Sequence, residues 1–146
     1  MARFFITLLS VALMACFFQV GAAPLHSRQI GDIACNAARL KTVSSLAATK
    51  SAVNKIDTSN STAAATAVTG AQTGLDSASA GIKTIAASLL TGKTAPADAR
   101  DQVGSGLLAA QTALNGINTG DAATTQALTK LNDTISAGKD VVANCN

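Results

Sequence analysis

The chain has 146 residues, eleven Lys and Arg against eight acidic residues, and a formal charge of +3. Its only aromatics are four Phe, and so weak a charge with so few stacking rings argues against nucleic-acid binding. One histidine, His26, and no Glu leave little from which to build a metal cluster or an acid–base pair.

The opening "MARFFITLLSVALMACFFQVGAAP" places one charge, Arg3, before an apolar run and a small-residue exit. That order reads as a secretory signal peptide over residues 1–22, cut after Ala22, because a cut one residue later would set Pro24 beside the scissile bond. The alternative, a membrane anchor, lacks both the length and a basic stop-transfer cluster, so no membrane span is expected after cleavage. The mature chain of 124 residues (146 − 22) then contains no Phe, Tyr, Trp, Met or Glu, and its charge falls to +2 with the loss of Arg3. One domain with a modest core fits that length. Residues 23–31 read as a flexible N-terminal segment and residues 32–146 as the helical domain.

The first helix is expected from about Asp32 to Ile56, with Leu40, Val43, Leu46, Val53 and Ile56 as its apolar residues. The second runs from a cap at Asn60 or Ser61 to a stop at Gly92. Its small or apolar residues Ala64, Val68, Ala71, Leu75, Ala78, Ile82, Ile85 and Leu89 step by four and three without a break. Strands step by two, so this is a helical seam of coiled-coil character. A third helix starts near Thr94 and Pro96, carries Val103, Leu107, Ala110, Leu114 and Ile117, and stops at "NTGD". Asp121 caps the fourth, whose seam is Leu128, Leu131, Ile135, Gly138, Val142 and Cys145.

Shifting Arg39–Thr58 by 61 positions lays it on Arg100–Thr119 with eight of twenty residues identical, including Leu46/Leu107, Asn54/Asn115 and Ile56/Ile117. A duplicated helical hairpin explains that match. Short loops make consecutive helices antiparallel, so both ends of an up-down-up-down bundle meet at one end. Cys35 and Cys145, the two cysteines left once Cys16 departs with the leader, then read as one disulfide in an oxidising exterior. Two free thiols or a bond between chains are the alternatives.

The second helix also repeats with period eleven: Thr62, Thr73 and Thr84; Thr66, Ser77 and Ser88; Gly70, Gly81 and Gly92. This reads either as a flat face that meets a solid surface, ice or another bundle, or as a low-complexity outer face carrying O-glycans. Asn60-Ser61-Thr62 and Asn132-Asp133-Thr134 are acceptor sequons for N-glycans. No catalytic constellation, metal site or cofactor motif emerges. Asp98 and Asp101 near Arg100 read as first-turn residues serving a helix dipole. The aliphatic seams either bury only one another, hold an acyl chain between helices, or open onto an oil or wax surface.

The leader ending "GAAP", then "RQIGDIACNAARL", "GIKTIAASLLTGKTAPADARDQV" and the closing "AGKDVVANC" resemble small secreted fungal proteins of the hydrophobic surface-binding protein and cell-wall mannoprotein family, over most of the mature length. The resemblance implies an extracellular helical bundle without enzymatic activity that adsorbs to hydrophobic surfaces, sits in the cell wall or holds a lipid. The cysteine pair and the lack of aromatics set this chain apart, and no binding residue is carried over.

The expectation is therefore an all-α, antiparallel four-helix bundle built from a duplicated hairpin and closed by one terminal disulfide. It is expected to be secreted, to the extracellular space or cell wall, and to bind hydrophobic surfaces, lipid or fatty acid. The aliphatic candidates for that contact are Val68, Leu75, Ile82, Ile85, Leu89, Val103, Leu107, Leu114, Leu128, Leu131, Ile135 and Val142. The competing reading is a structural protein of the cell wall or matrix, or an effector that contacts a host component.

Overall fold

A computed structural model describes residues 33–117 and 120–145. The leader and the segment at residues 23–31 lie outside the described residues. Four helices follow one another: α1 (Ile33–Val53), α2 (Thr62–Leu90), α3 (Ala97–Asn115) and α4 (Ala122–Asn144). Each boundary has a local cause. Ser61 Oγ accepts from the Ala64 N–H at the start of α2, and an Asp121 carboxylate oxygen accepts from the Thr124 N–H at 2.6 Å at the start of α4. Helix α3 begins instead at Pro96, which provides no side-chain cap. At the end of α2, Gly92 adopts φ +72°, its N–H donates to the Leu89 carbonyl, and the Lys93 N–H donates to that of Ser88. This pair of bonds closes a Schellman turn, which needs a residue without a Cβ at that φ.

The helices form an antiparallel bundle of two close pairs, α1 with α4 and α2 with α3, while contact between the pairs is wider. Small side chains set this spacing. A Cβ built on Gly74 would lie 2.6 Å from the Gly106 carbonyl oxygen, and one on Gly106 would lie 2.6 Å from that of Gly74. Ala71, Ala78 and Ala110 complete this contact and are fully buried. In the α1–α4 pair the corresponding place is held by hydroxyls, with Thr49 Oγ1 and Thr134 Oγ1 2.9 Å apart and both residues 0% exposed. Thr49 also reaches the Ser45 carbonyl and Thr134 the Lys130 carbonyl. Each hydroxyl has one proton, so one of them donates across the pair while the other serves its own helix.

The duplication extends to burial. The same 61-residue shift takes Ala38, Leu46, Thr49, Val53 and Ile56 onto Ala99, Leu107, Ala110, Leu114 and Ile117, and all ten are buried. Cys35 and Cys145 are disulfide-bonded with Cα atoms 5.0 Å apart, joining the start of α1 to the end of α4 across a separation of 110 residues. Closing a loop of that size is worth ~4–5 kcal/mol on the chain-entropy account.

Three expectations need correction. Leu40 and Val43 are 71% and 48% exposed, and the buried face of α1 is instead Cys35, Ala38, Thr42, Leu46 and Thr49. Close approach to α4 favours small residues there, and Thr42 qualifies because its hydroxyl is spent on the Ala38 carbonyl. Val142, placed in the α4 seam by spacing, is 69% exposed, whereas Thr134 and Ala137 are buried. The period-eleven glycines form no common flat face: Gly81 abuts the Ala99 carbonyl, Gly70 stands exposed beside Ala113, and Gly92 ends the helix.

Adding one methyl group at the tightest point tests this packing. Gly106→Ala should lower stability by ~1–3 kcal/mol in urea denaturation, because the new Cβ meets backbone rather than a movable side chain. The same substitution at Gly104, which has open space around it, should be neutral or stabilising.

Candidate functional site

Because small residues occupy the contacts within each pair, the larger aliphatic side chains collect in the layer between the pairs. Leu75, Leu114 and Leu131 are 0% exposed there, joined by Leu46, Val53 and Leu107. These residues run from the middle of the bundle, at Leu75, Leu107 and Leu131, toward the end that carries the α1–α2 and α3–α4 loops, at Val53 and Leu114. The polar ties between pairs lie around mid-bundle: Lys50 Nζ to Asp76 at 2.6 Å, Gln72 to Asn54 at 2.9 Å, and Gln111 to Asn132 at 3.1 Å.

Toward the opposite end, where the disulfide sits, small residues such as Cys35, Ala38, Ala99 and Ala137 stay buried while the larger aliphatics become exposed. On α2 the fully buried Ala71, Leu75 and Ala78 give way to half-buried Ile82, Ile85 and Leu89, and then to Leu90 at 89% exposed. On α4 the sequence is Leu131 buried, Ile135 half-buried and Val142 exposed; on α3, Val103 is half-buried where Leu107 is buried. On α1, Val43, Leu40 and Ile33 lie open to solvent at this end, off the face that buries Cys35, Ala38 and Thr42. Ile82, Val103 and Ile135 still touch the core, so the open residues extend the core rather than forming a separate patch. Each large aliphatic left in water forgoes ~1.5–3 kcal/mol of burial, and contiguous apolar exposure of this kind marks interaction sites.

Of the expected seam residues, Val68, Leu75, Leu107, Leu114 and Leu131 are therefore spent inside the fold. Leu128 is half-buried near the loop end, while Ile82, Ile85, Leu89, Val103 and Ile135 line the open end with Val142 beside them. Sequence spacing missed Leu40, Val43 and Leu90 as surface members of this end. The available signal was that α1 carries aliphatics on two opposite faces and that Leu90 directly precedes the cap at Thr91.

Two grooves elsewhere have other characters. One of about 790 Å³ runs over α2 and α3 between Thr66, Thr69, Thr73, Ser77, Ser105 and Ala109, and the hydroxyls of Thr66, Thr69 and Thr73 are bonded back to carbonyls of their own helix. The second, about 340 Å³, lies at the loop end beside Lys55, Asp57, Asn60 and Asp121. Here the Ser59 hydroxyl and N–H both donate to Asp57, at 2.7 and 2.9 Å, holding its carboxyl below the usual carboxylate range. The turn gains from ionised Asp57 at neutral pH and loses that contribution as acid protonates the group through its lowered pKa.

Both sequon asparagines are exposed, but their settings differ. Asn60 stands in the α1–α2 turn, whereas the Asn132 side chain accepts from Gln111 and the hydroxyl of its sequon partner Thr134 is buried against Thr49. Among the described residues no cluster of His, Cys or Asp could hold a metal ion, and no helix is long and apolar enough to cross a membrane. Compared with known protein families, curated proteins and solved structures, the chain matches none.

The burial gradient predicts unequal costs for one kind of truncation. Leu131→Ala should lose ~2–5 kcal/mol by chemical denaturation, and Leu89→Ala under ~1 kcal/mol, because the second leaves no enclosed void.

Proposed function

We propose that the mature chain is a secreted, non-catalytic protein that binds hydrophobic surfaces or lipids at the cell exterior, through the open end of the bundle. The observation that carries this reading is that the aliphatic layer does not stop where the core closes. Half-buried Ile85 and Leu89 carry it on to Leu90 and Val142, which are exposed at the disulfide end. A bundle whose layer served only its own stability would bury these side chains or replace them with polar ones, as it does along the outer face of α2. The resemblance to the hydrophobic surface-binding protein and cell-wall mannoprotein family points to the same class of partner.

The leader supports export, and an oxidising exterior suits the Cys35–Cys145 bond. Export would also expose the sequons to glycosylation, and Asn60 is the acceptor we assign. It lies at the loop end, so a glycan there leaves the aliphatic end uncovered, whereas one on Asn132 would compete with the Gln111 contact.

Depletion from solution by alkyl-bonded beads tests the binding reading. The secreted protein should adsorb, before and after enzymatic removal of an Asn60 glycan. The triple variant Ile85→Ser/Leu89→Ser/Val142→Ser should adsorb at least ~10-fold more weakly, given ~0.8 kcal/mol per buried methylene, with its helical circular dichroism intact. Retention of the triple variant on the beads, or a wild-type chain that ignores them, would count against the proposal.

A further inference from the structure

Charge is distributed unevenly along the bundle. Among the described residues, the disulfide end and its half of the helices carry Arg39, Lys41, Lys83, Lys93, Arg100 and Lys139 against Asp98, Asp101 and Asp140, a formal +3 from six cations and three anions. The loop end carries Lys55 against Asp57 and Asp121, a formal −1, and Lys50, Asp76, Lys130 and Asp133 near mid-bundle cancel one another. These mid-bundle cations are also committed, since Lys50 pairs with Asp76 and Lys130 with Asp133. At the disulfide end Lys41 pairs with Asp140, within the α1–α4 pair, while Lys83, Arg100 and Lys139 on three helices and Lys93 in the α2–α3 turn are exposed.

An aliphatic end bearing cations is suited to an interface whose interior is apolar and whose rim is negative. We propose that the disulfide end docks on a lipid surface bearing anionic headgroups, with Ile85, Leu89 and Val142 against the acyl region and Lys83, Lys93 and Lys139 among the headgroups. Lysine suits this boundary because its methylene stem follows apolar surface while the ammonium remains in the polar zone. A neutral wax or oil would satisfy the aliphatics and leave the charge asymmetry without a partner. The opposite end, net negative and bearing Asn60, faces away from such a surface. This inference rests on the reading of the open end as the apolar-binding face, and adds the sign of the surface it meets.

The test is co-sedimentation of the mature, disulfide-bonded chain with vesicles of phosphatidylcholine alone and of phosphatidylcholine mixed with phosphatidylglycerol, with alkyl beads in parallel. Each surface cation near an anionic leaflet contributes roughly a fivefold gain in partitioning, falling off within a Debye length of ~10 Å at 0.1 M salt. The mixed vesicles should therefore bind the chain at least ~10-fold more tightly than the neutral ones, and added salt should erase the difference. Lys83→Gln/Lys93→Gln/Lys139→Gln should bind the two vesicle types about equally, while still adsorbing to beads. The triple Lys50→Gln/Lys55→Gln/Lys130→Gln, away from that end, should retain the preference. Equal partition of the wild-type chain onto both vesicle types, or equal loss in the two triple variants, would overturn the anionic partner while bead adsorption keeps the apolar reading. A chain that binds neither vesicles nor beads would overturn both.

Discussion

The structure depends on backbone contact between helices, made where side chains are too small to keep them apart. Gly74 against Gly106 brings α2 and α3 within a distance that no Cβ at either position would allow, and Thr49 against Thr134 sets the equivalent contact between α1 and α4. Once each pair is that close, its inner face has no room for leucine. The larger aliphatics are excluded to the layer between pairs, where Leu75, Leu114 and Leu131 are fully buried. Dispersion and close packing thus hold each hairpin-like pair, while the hydrophobic effect joins the two pairs.

Covalent connections follow the same division. The disulfide joins α1 to α4, and the turn after Gly92 joins α2 to α3, so at that end each close pair is clasped to itself. The pairs are linked to one another by the α1–α2 and α3–α4 loops at the other end and, around mid-bundle, by the ties Lys50–Asp76, Asn54–Gln72 and Gln111–Asn132. The half-burial of Ile82, Ile85 and Leu89 beyond fully buried Leu75 is what such an arrangement produces, with the layer closed where the chain crosses it and open where it does not. The terminal disulfide strengthens one pair without closing the aliphatic end, which connects a stability device to an available surface.

Much of this was legible in the sequence. The four-three stepping from Ala64 to Leu89, the caps at Ser61 and Asp121, the stop at Gly92 and the duplication of Leu46, Val53 and Ile56 as Leu107, Leu114 and Ile117 gave the helices, their order and the meeting of the two cysteines. Periodicity did not reveal which small residues mediate contact, because Thr, Ala and Gly look alike on a low-complexity helix. Thr49 and Thr134 act as core residues only when each faces the other, which is a property of the pairing. Nor does periodicity distinguish a buried seam from an open one. Leu75 and Leu89 occupy the same face two heptads apart, yet one is enclosed by the opposite pair and the other lies where the pairs part. Leu40 and Val43 show the converse, since apolar character does not imply burial on a helix whose contact requires smaller residues.

The central claim, a single aliphatic layer closed at the loop end and open at the disulfide end, can be read methyl by methyl. A neutral, soluble gadolinium chelate should broaden the methyl resonances of Leu90 and Val142 strongly, those of Ile82, Ile85, Leu89 and Ile135 to an intermediate degree, and those of Leu75, Leu114 and Leu131 hardly at all. Uniform protection of these methyl groups from Leu131 to Val142, and from Leu75 to Leu89, would mean that the pairs close along their whole length and would contradict the account.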